Sequence, residues 1–107
     1  MAKIYQNVIE EIVSRILKQI RPERIILFGS AASGKMTKDS DVDLLVLKKR
    51  PLDPRKESVR IRKCLKGMPY PFDIVVMARQ RFEETKNIIG GLAYPANKYG
   101  KVIYEAR

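Results

Sequence analysis

The sequence predicts an α/β domain: a small mixed β-sheet with flanking helices. The chain has 107 residues, of which 45% are hydrophobic. Apolar stripes at helical spacing alternate with short continuous apolar runs, which is the order of an α/β protein. No internal repeat or long Gly/Ser linker divides the chain. Half of this length would bury too little apolar surface for its own core, so we expect a single domain over residues 1–107.

Each element follows from its own pattern of apolar and turn-forming residues. The first helical stripe is expected to end before Pro22. The runs RIILF, DVDLLVLK and YPFDIVVM have the composition of buried strands. Asp53 and Pro54 suit the N-cap and the first position of a helix. The predicted elements are a helix at about 3–20, a strand at 24–28, a short turn or helix at about 30–35, a strand at 41–48, a helix at 54–66, a strand at 70–77, a helix at 79–86, a short helix near 92–99 and an edge strand near 102–104.

The composition favours a basic protein of a reducing compartment. Twenty-two Lys and Arg against twelve Asp and Glu give a net charge of +10. This charge attracts polyanions such as triphosphates, nucleic acid or an acidic protein, although much of it is equally compatible with solvated surface. The single Cys64 and the absence of histidine exclude an internal disulfide and the usual zinc sets. No apolar run is long enough to span a bilayer, so we expect a cytoplasmic protein without membrane contact.

Two acids occupy the start of the second predicted strand. Asp41 and Asp43 are two positions apart, so their side chains project from the same face, about 7 Å apart along the chain. Like charges in an otherwise apolar strand are unfavourable unless a cation compensates them, and hard oxygen ligands suit Mg²⁺ or Mn²⁺. The alternative is that DSDVD only forms a turn at the strand end. We predict that both acids are metal ligands and catalytic residues.

A third acid, Asp73, lies in the next apolar run, FDIVVM. If the two strands are neighbours, the three carboxylates converge and can hold two divalent ions, while the third acid is also able to accept a proton. The alternative is an ordinary edge-strand acid, since nothing local distinguishes Asp73. We include it in the predicted catalytic and metal-binding set.

A phosphate-binding turn is predicted directly after the first strand. Gly29 permits close backbone approach, and Ser30 offers a hydroxyl and a backbone N–H at a helix start. A simple helix N-cap is a compatible structural role for the same residues. We therefore expect Gly29 and Ser30 to bind the triphosphate of a nucleotide.

These motifs together resemble a known family. Gly29-Ser30, ten intervening residues and Asp41-Val42-Asp43 match the signature of the DNA polymerase beta-like nucleotidyltransferase superfamily. The small size, the basic helix, the third acid and the closing GKVIYE segment resemble its minimal nucleotidyltransferase (MNT) branch. The resemblance covers nearly the whole chain. It departs from many relatives at Ala31-Ala32, where an arginine is common, and leaves Lys35 or Lys38 as replacement phosphate contacts.

The resemblance implies a function as well as a fold. It implies a nucleotidyltransferase fold, an enzyme that takes ATP as donor with Mg²⁺ or Mn²⁺, and the site residues Gly29, Ser30, Asp41, Asp43 and Asp73. MNT proteins often pair with HEPN-domain proteins as toxin–antitoxin systems in which the HEPN toxin is adenylylated on tyrosine. The length leaves no room for an acceptor domain, so the acceptor site is expected to come from such a partner or from a second copy of the chain.

Two other classes of function stay open at this stage. The first is a non-catalytic antitoxin that neutralises its partner by surface complementarity and keeps the acids as a relic. The second is a domain that binds or modifies nucleic acid, suggested by the basic charge but not favoured. Six basic residues on the predicted third helix are expected to form a solvated face, or else a docking surface for acidic protein or RNA: Arg55, Lys56, Arg60, Arg62, Lys63 and Lys66.

Overall fold

The computed structural model describes residues 4–37 and 39–107 and contains five helices and four strands within them. Lys3, at the predicted start of the first helix, and Lys38, a predicted phosphate contact, lie outside the described residues. None of the helices in the described part is long and apolar enough to cross a membrane. The elements are α1 (Gln6–Leu17), β1 (Arg24–Phe28), α2 (Ser30–Ser33), β2 (Val42–Lys48), α3 (Pro54–Cys64), β3 (Phe72–Ala78), α4 (Arg79–Thr85), α5 (Ala93–Tyr99) and β4 (Lys101–Glu105).

The four strands form one mixed sheet in the order β3-β2-β1-β4. β1 pairs with β2 and with β4 in the antiparallel direction, while β2 and β3 are parallel. The connection between β2 and β3 is α3, as expected for a parallel crossover. The predicted α/β class with a mixed sheet is confirmed, and β3 and β4 are its two edges.

Helices cover both faces of the sheet. One face packs against α1, α2 and α3 in the larger core, which includes Ile12, Ile16, Leu44, Val46 and Ile61. The other face packs against α4 and α5 in a smaller core: Ile26, Leu45, Leu47, Phe82, Ala93 and Ala96. Successive side chains of a strand alternate between faces. Asp43 therefore shares the α4–α5 face with Leu45 and Leu47.

Most predicted bounds agree with the structure within two or three residues, and the differences have local causes. α1 ends at Leu17, and a hydrogen-bonded turn, with the N–H groups of Gln19 and Ile20 both donating to the Ile16 carbonyl, then carries Ile20 into the core. β3 begins at Phe72 rather than at 70, since Pro71 has no N–H to donate to a neighbouring strand.

The α3 crossover is fixed at its start as the sequence predicts. The Asp53 side chain accepts a hydrogen bond from the Lys56 backbone N–H at 3.2 Å, and Pro54 opens the helix. Lys48, the last residue of β2, forms an ion pair with Glu57 in the first turn of the helix. These contacts tie the end of β2 to α3 and so set the position of β3, which follows.

Candidate active site

Asp43 lies on the central strand β2, near the end of the sheet at which this strand begins. It is the second residue of β2, and its register partners are Phe28 on β1 and Asp73 on β3. The side chain is half-buried and accepts no hydrogen bond from another described residue. A carboxylate held there has lost part of its water without gaining a donor, which is unfavourable for its charged form.

The other two predicted acids lie beside Asp43. Asp73 is the second residue of β3 and the direct parallel neighbour of Asp43, on a strand that should lie about 4.8 Å away. Asp41 is exposed and precedes β2, which begins at Val42 and not at Asp41 as predicted. Burial, then the charge of Asp73, then the charge of Asp41 raise the pKa of the Asp43 carboxyl above its ordinary value. Asp43 is thus the focus of a three-carboxylate group.

Gly29 forms the wall against which the Asp43 carboxylate lies. Its φ is +68°, a left-handed value that favours glycine. A Cβ placed on Gly29 would overlap Asp43 Oδ2 and would lie 3.2 Å from Asp43 Cγ. Both the backbone angle and the available space therefore require glycine at this position.

Ser30 begins the four-residue helix α2 immediately beside these acids. The Gly29 carbonyl accepts hydrogen bonds from the N–H groups of Ala32 and Ser33, both at 3.2 Å. The Ser30 hydroxyl has no hydrogen-bond partner among the described residues. It is therefore available to a phosphate oxygen, as is the backbone at the start of α2. Lys35, one of the two predicted replacement cations, is exposed after this helix.

A polar turn that was not predicted from the sequence lies immediately before Asp41. The Thr37 N–H donates to Ser40 Oγ at 2.9 Å, and the Ser40 N–H donates to the Thr37 carbonyl at 3.1 Å. The Val42 N–H then donates to the Pro71 carbonyl at 2.8 Å, which aligns the starts of β2 and β3. The signal for the turn was a threonine and a serine three positions apart between two strands.

The acids are adjacent, but they do not form a closed metal cage. Across 4–37 and 39–107, no three acidic, cysteine or histidine side chains converge tightly enough to hold an ion. The donor chemistry nevertheless fits a hard divalent cation, because the acids supply only carboxylate oxygens. A cation would also relieve the crowding of negative charge that raises the pKa of Asp43.

A mixed sheet with a Gly-Ser turn after one strand and carboxylates at the start of the next two defines the nucleotidyltransferase class. Residues 7–94 match the sequence profile of the nucleotidyltransferase domain. The chain belongs to this family, and the matched region contains every predicted site residue. The resemblance to the nucleotidyltransferases noted in the sequence is confirmed.

Individual proteins agree with this assignment. A candidate protein adenylyltransferase of Methanocaldococcus jannaschii is 39% identical over 64 residues, which are 60% of this chain and 63% of that protein. The match thus spans less than two thirds of that relative.

Two of the solved structures that share the fold come from toxin–antitoxin systems. A chain from a toxin–antitoxin structure with AMP-PNP superposes with a TM-score of 0.72 at 21% identity, over 92% of this chain and 74% of that one. The second is a chain from the complex of the tri-AMPylated Shewanella oneidensis HEPN toxin with its MNT antitoxin. It has a TM-score of 0.53 at 17% identity, over 95% of this chain and 74% of that one.

Proposed function

We propose that this chain is a metal-dependent nucleotidyltransferase that transfers AMP from ATP to a partner protein. The observation that carries the proposal is the crowding of Asp73 and Asp41 around Asp43, beside the Gly29-Ser30 turn. A partly dehydrated group of like charges costs stability, and carboxyl groups perturbed in this way cluster at functional sites.

Each residue has a role in the proposed reaction. Asp41, Asp43 and Asp73 would hold one or two Mg²⁺ or Mn²⁺ ions, which when bound neutralise the phosphates and acidify the attacking hydroxyl. Gly29 and Ser30 bind the β- and γ-phosphates. The acceptor oxygen attacks the α-phosphorus, the bond between the α-phosphorus and its bridging oxygen to the β-phosphate breaks, and pyrophosphate leaves. Asp73 is exposed, whereas Asp43 is half-buried. In this proposal Asp73 accepts the proton of the hydroxyl.

The acceptor in this proposal is a HEPN-domain protein, with this chain as its antitoxin. The likeness to chains from toxin–antitoxin structures, one with AMP-PNP and one with a tri-AMPylated HEPN toxin, supports the choice of donor and partner. The relative named for protein adenylylation supports a protein acceptor. The same proposal places the chain in the cytoplasm, where ATP is supplied and Cys64 stays reduced.

Calorimetric titration with ATP tests the nucleotide site. Since Mg²⁺ completes its shell with substrate phosphates, we expect weak binding of Mg²⁺ alone and much tighter binding of ATP when Mg²⁺ is present. The double substitution Asp41→Asn/Asp43→Asn should abolish the gain from Mg²⁺, whereas Asp39→Asn, on the exposed loop, should not. ATP binding that is equally tight without metal and insensitive to the double substitution would indicate only a basic patch.

A further inference from the structure

A groove runs along the outer side of the edge strand β3, between that strand and α3. Its two stretches share Val59 and Arg62 and have volumes of about 680 and 370 Å³. The first stretch reaches Tyr70 and Phe72 at the start of β3, and the second reaches Val76 further along the strand. We call this the β3–α3 groove. The groove therefore follows the free edge of the sheet for most of the length of β3.

The edge along the groove offers unused backbone groups. β3 pairs with β2 on one side only. Among the described residues, a single side chain contacts its backbone by a hydrogen bond, from the Ser58 hydroxyl to the Ile74 carbonyl at 2.7 Å. An edge strand with free N–H and C=O groups is a template for an added strand. The groove thus suits an extended polypeptide.

The charge around the groove selects the kind of polypeptide. The six basic residues of α3 and the turn after it form no ion pair within the described residues. The one acid in the helix, Glu57, is paired with Lys48. Val59 is 46% exposed between these cations and gives the groove an apolar floor. An acidic segment with alternating apolar residues matches this surface, because alternate side chains of a strand point in opposite directions.

The groove leads to the candidate active site. Phe72 lines the groove, and the next residue, Asp73, projects from the opposite face of β3, next to Asp43. On a strand added to this edge, the residue opposite Asp73 would have its Cβ only about 5 Å from that of Asp73. A hydroxyl carried at that position would lie beside the acid proposed as its proton acceptor.

We propose that the acceptor hydroxyl reaches the site on an acidic, extended segment of the partner protein that adds to the sheet as a fifth strand along β3. The inference rests on the proposed function and specifies how the acceptor is held. It also gives the basic face of α3 a role in choosing the partner. Electrostatic complementarity there should favour acidic segments and speed their encounter.

Fluorescence anisotropy with a labelled peptide tests the docking site. The probe is a short peptide of alternating Glu and Val with one central Tyr. In the first control peptide Lys replaces Glu. The second control is the acidic peptide with the N–H groups along one backbone edge methylated. We expect the acidic peptide to bind at least about tenfold more tightly than either control. A short single-stranded RNA is titrated in parallel.

Matched variants locate the binding. Val59→Glu, in the groove, should weaken the acidic peptide at least about tenfold, whereas Val102→Glu, equally exposed on the opposite edge strand, should not. Arg62→Glu should behave like Val59→Glu, and Arg81→Glu on α4 should behave like the wild type. Loss of backbone amide exchange in β3 on peptide binding would support strand addition.

Titration of the same variants with ATP and Mg²⁺ separates this inference from the proposed function. Peptide binding that is absent, or equal in Val59→Glu and Val102→Glu, in a protein that still binds ATP with Mg²⁺ would overturn the docking site alone. Failure of the wild type to bind ATP would instead overturn the nucleotidyltransferase proposal. RNA binding that depends on Arg62 in the absence of peptide binding would overturn the choice of a polypeptide ligand.

Discussion

At the scale of single residues, the charge state of Asp43 links the site to the stability of the fold. Burial and the charges of Asp73 and Asp41 raise the pKa of Asp43 in the folded protein. The folded chain therefore binds more protons than the unfolded chain between the ordinary aspartate pKa of about 3.9 and the raised value. The free energy of unfolding falls as pH rises through this window, and the loss is fully present above it.

We therefore expect Asp43→Asn to stabilise the metal-free protein at neutral pH. The gain should vanish below the ordinary aspartate pKa, where the wild-type carboxyl is protonated in both states. The thermal midpoint should therefore rise, and in a domain of this size each 1 kcal/mol of unfolding free energy corresponds to about 4–8 °C. Midpoints of the wild type, Asp43→Asn and the exposed-loop control Asp39→Asn are measured between pH 3 and pH 7. A lower midpoint for Asp43→Asn at pH 7 would assign the carboxylate a structural role.

A second prediction at the scale of single residues concerns Gly29. Gly29→Ala forces an unfavourable positive φ and also an overlap with Asp43 Oδ2. The matched control is Gly34→Ala, which has a positive φ of +76° but open space around the added Cβ. Backbone strain alone costs about 1 kcal/mol, so Gly34→Ala should lose about that much and Gly29→Ala clearly more. Denaturant unfolding measures both. Equal losses would mean that the Asp43 carboxylate does not rest against Gly29.

At the scale of elements, local patterns determined what the sequence could predict. β1 was predicted with the bounds that the structure shows, because a short apolar run between Arg24 and Gly29 has few alternatives. The N-cap of α3 was also confirmed. The strand order and the pairing of Asp43 with Asp73 could not be derived from local patterns, since they depend on which distant segments pack together. The strands that carry the acids were therefore predictable, whereas the register that places Asp43 beside Asp73 was not.

The prediction at the scale of elements concerns Asp53, the N-cap of α3. Asp53→Ala removes the acceptor of the Lys56 N–H and should cost about 1 kcal/mol of unfolding free energy. Asp53→Asn keeps an acceptor oxygen and should restore most of this loss. Because the cap is at the opposite end of the sheet from the acids, ATP binding should not change in either variant. If Asp53→Asn destabilises as much as Asp53→Ala, the charge of Asp53 and not its hydrogen bond is what matters.

At the scale of the whole molecule, the sheet places the acids and the free edge together. β2 and β3 are parallel, so both begin at the same end, and β1 ends there because it runs antiparallel to β2. Gly29, Ser30 and the three acids meet at that end for this reason. The net charge of +10 favours the approach of anionic ligands such as a triphosphate, and of the acidic partner segment proposed above.

Mass spectrometry of the partner protein tests the central claim most directly. The chain is incubated with ATP, Mg²⁺ and the HEPN-domain protein proposed as its partner, which we expect to be encoded by the neighbouring gene. We expect one or more AMP adducts on the partner, and none with the Asp41→Asn/Asp43→Asn variant, whose fold is checked by its thermal midpoint. A stable complex that forms without any adduct, or an adduct that survives the double substitution, would contradict it.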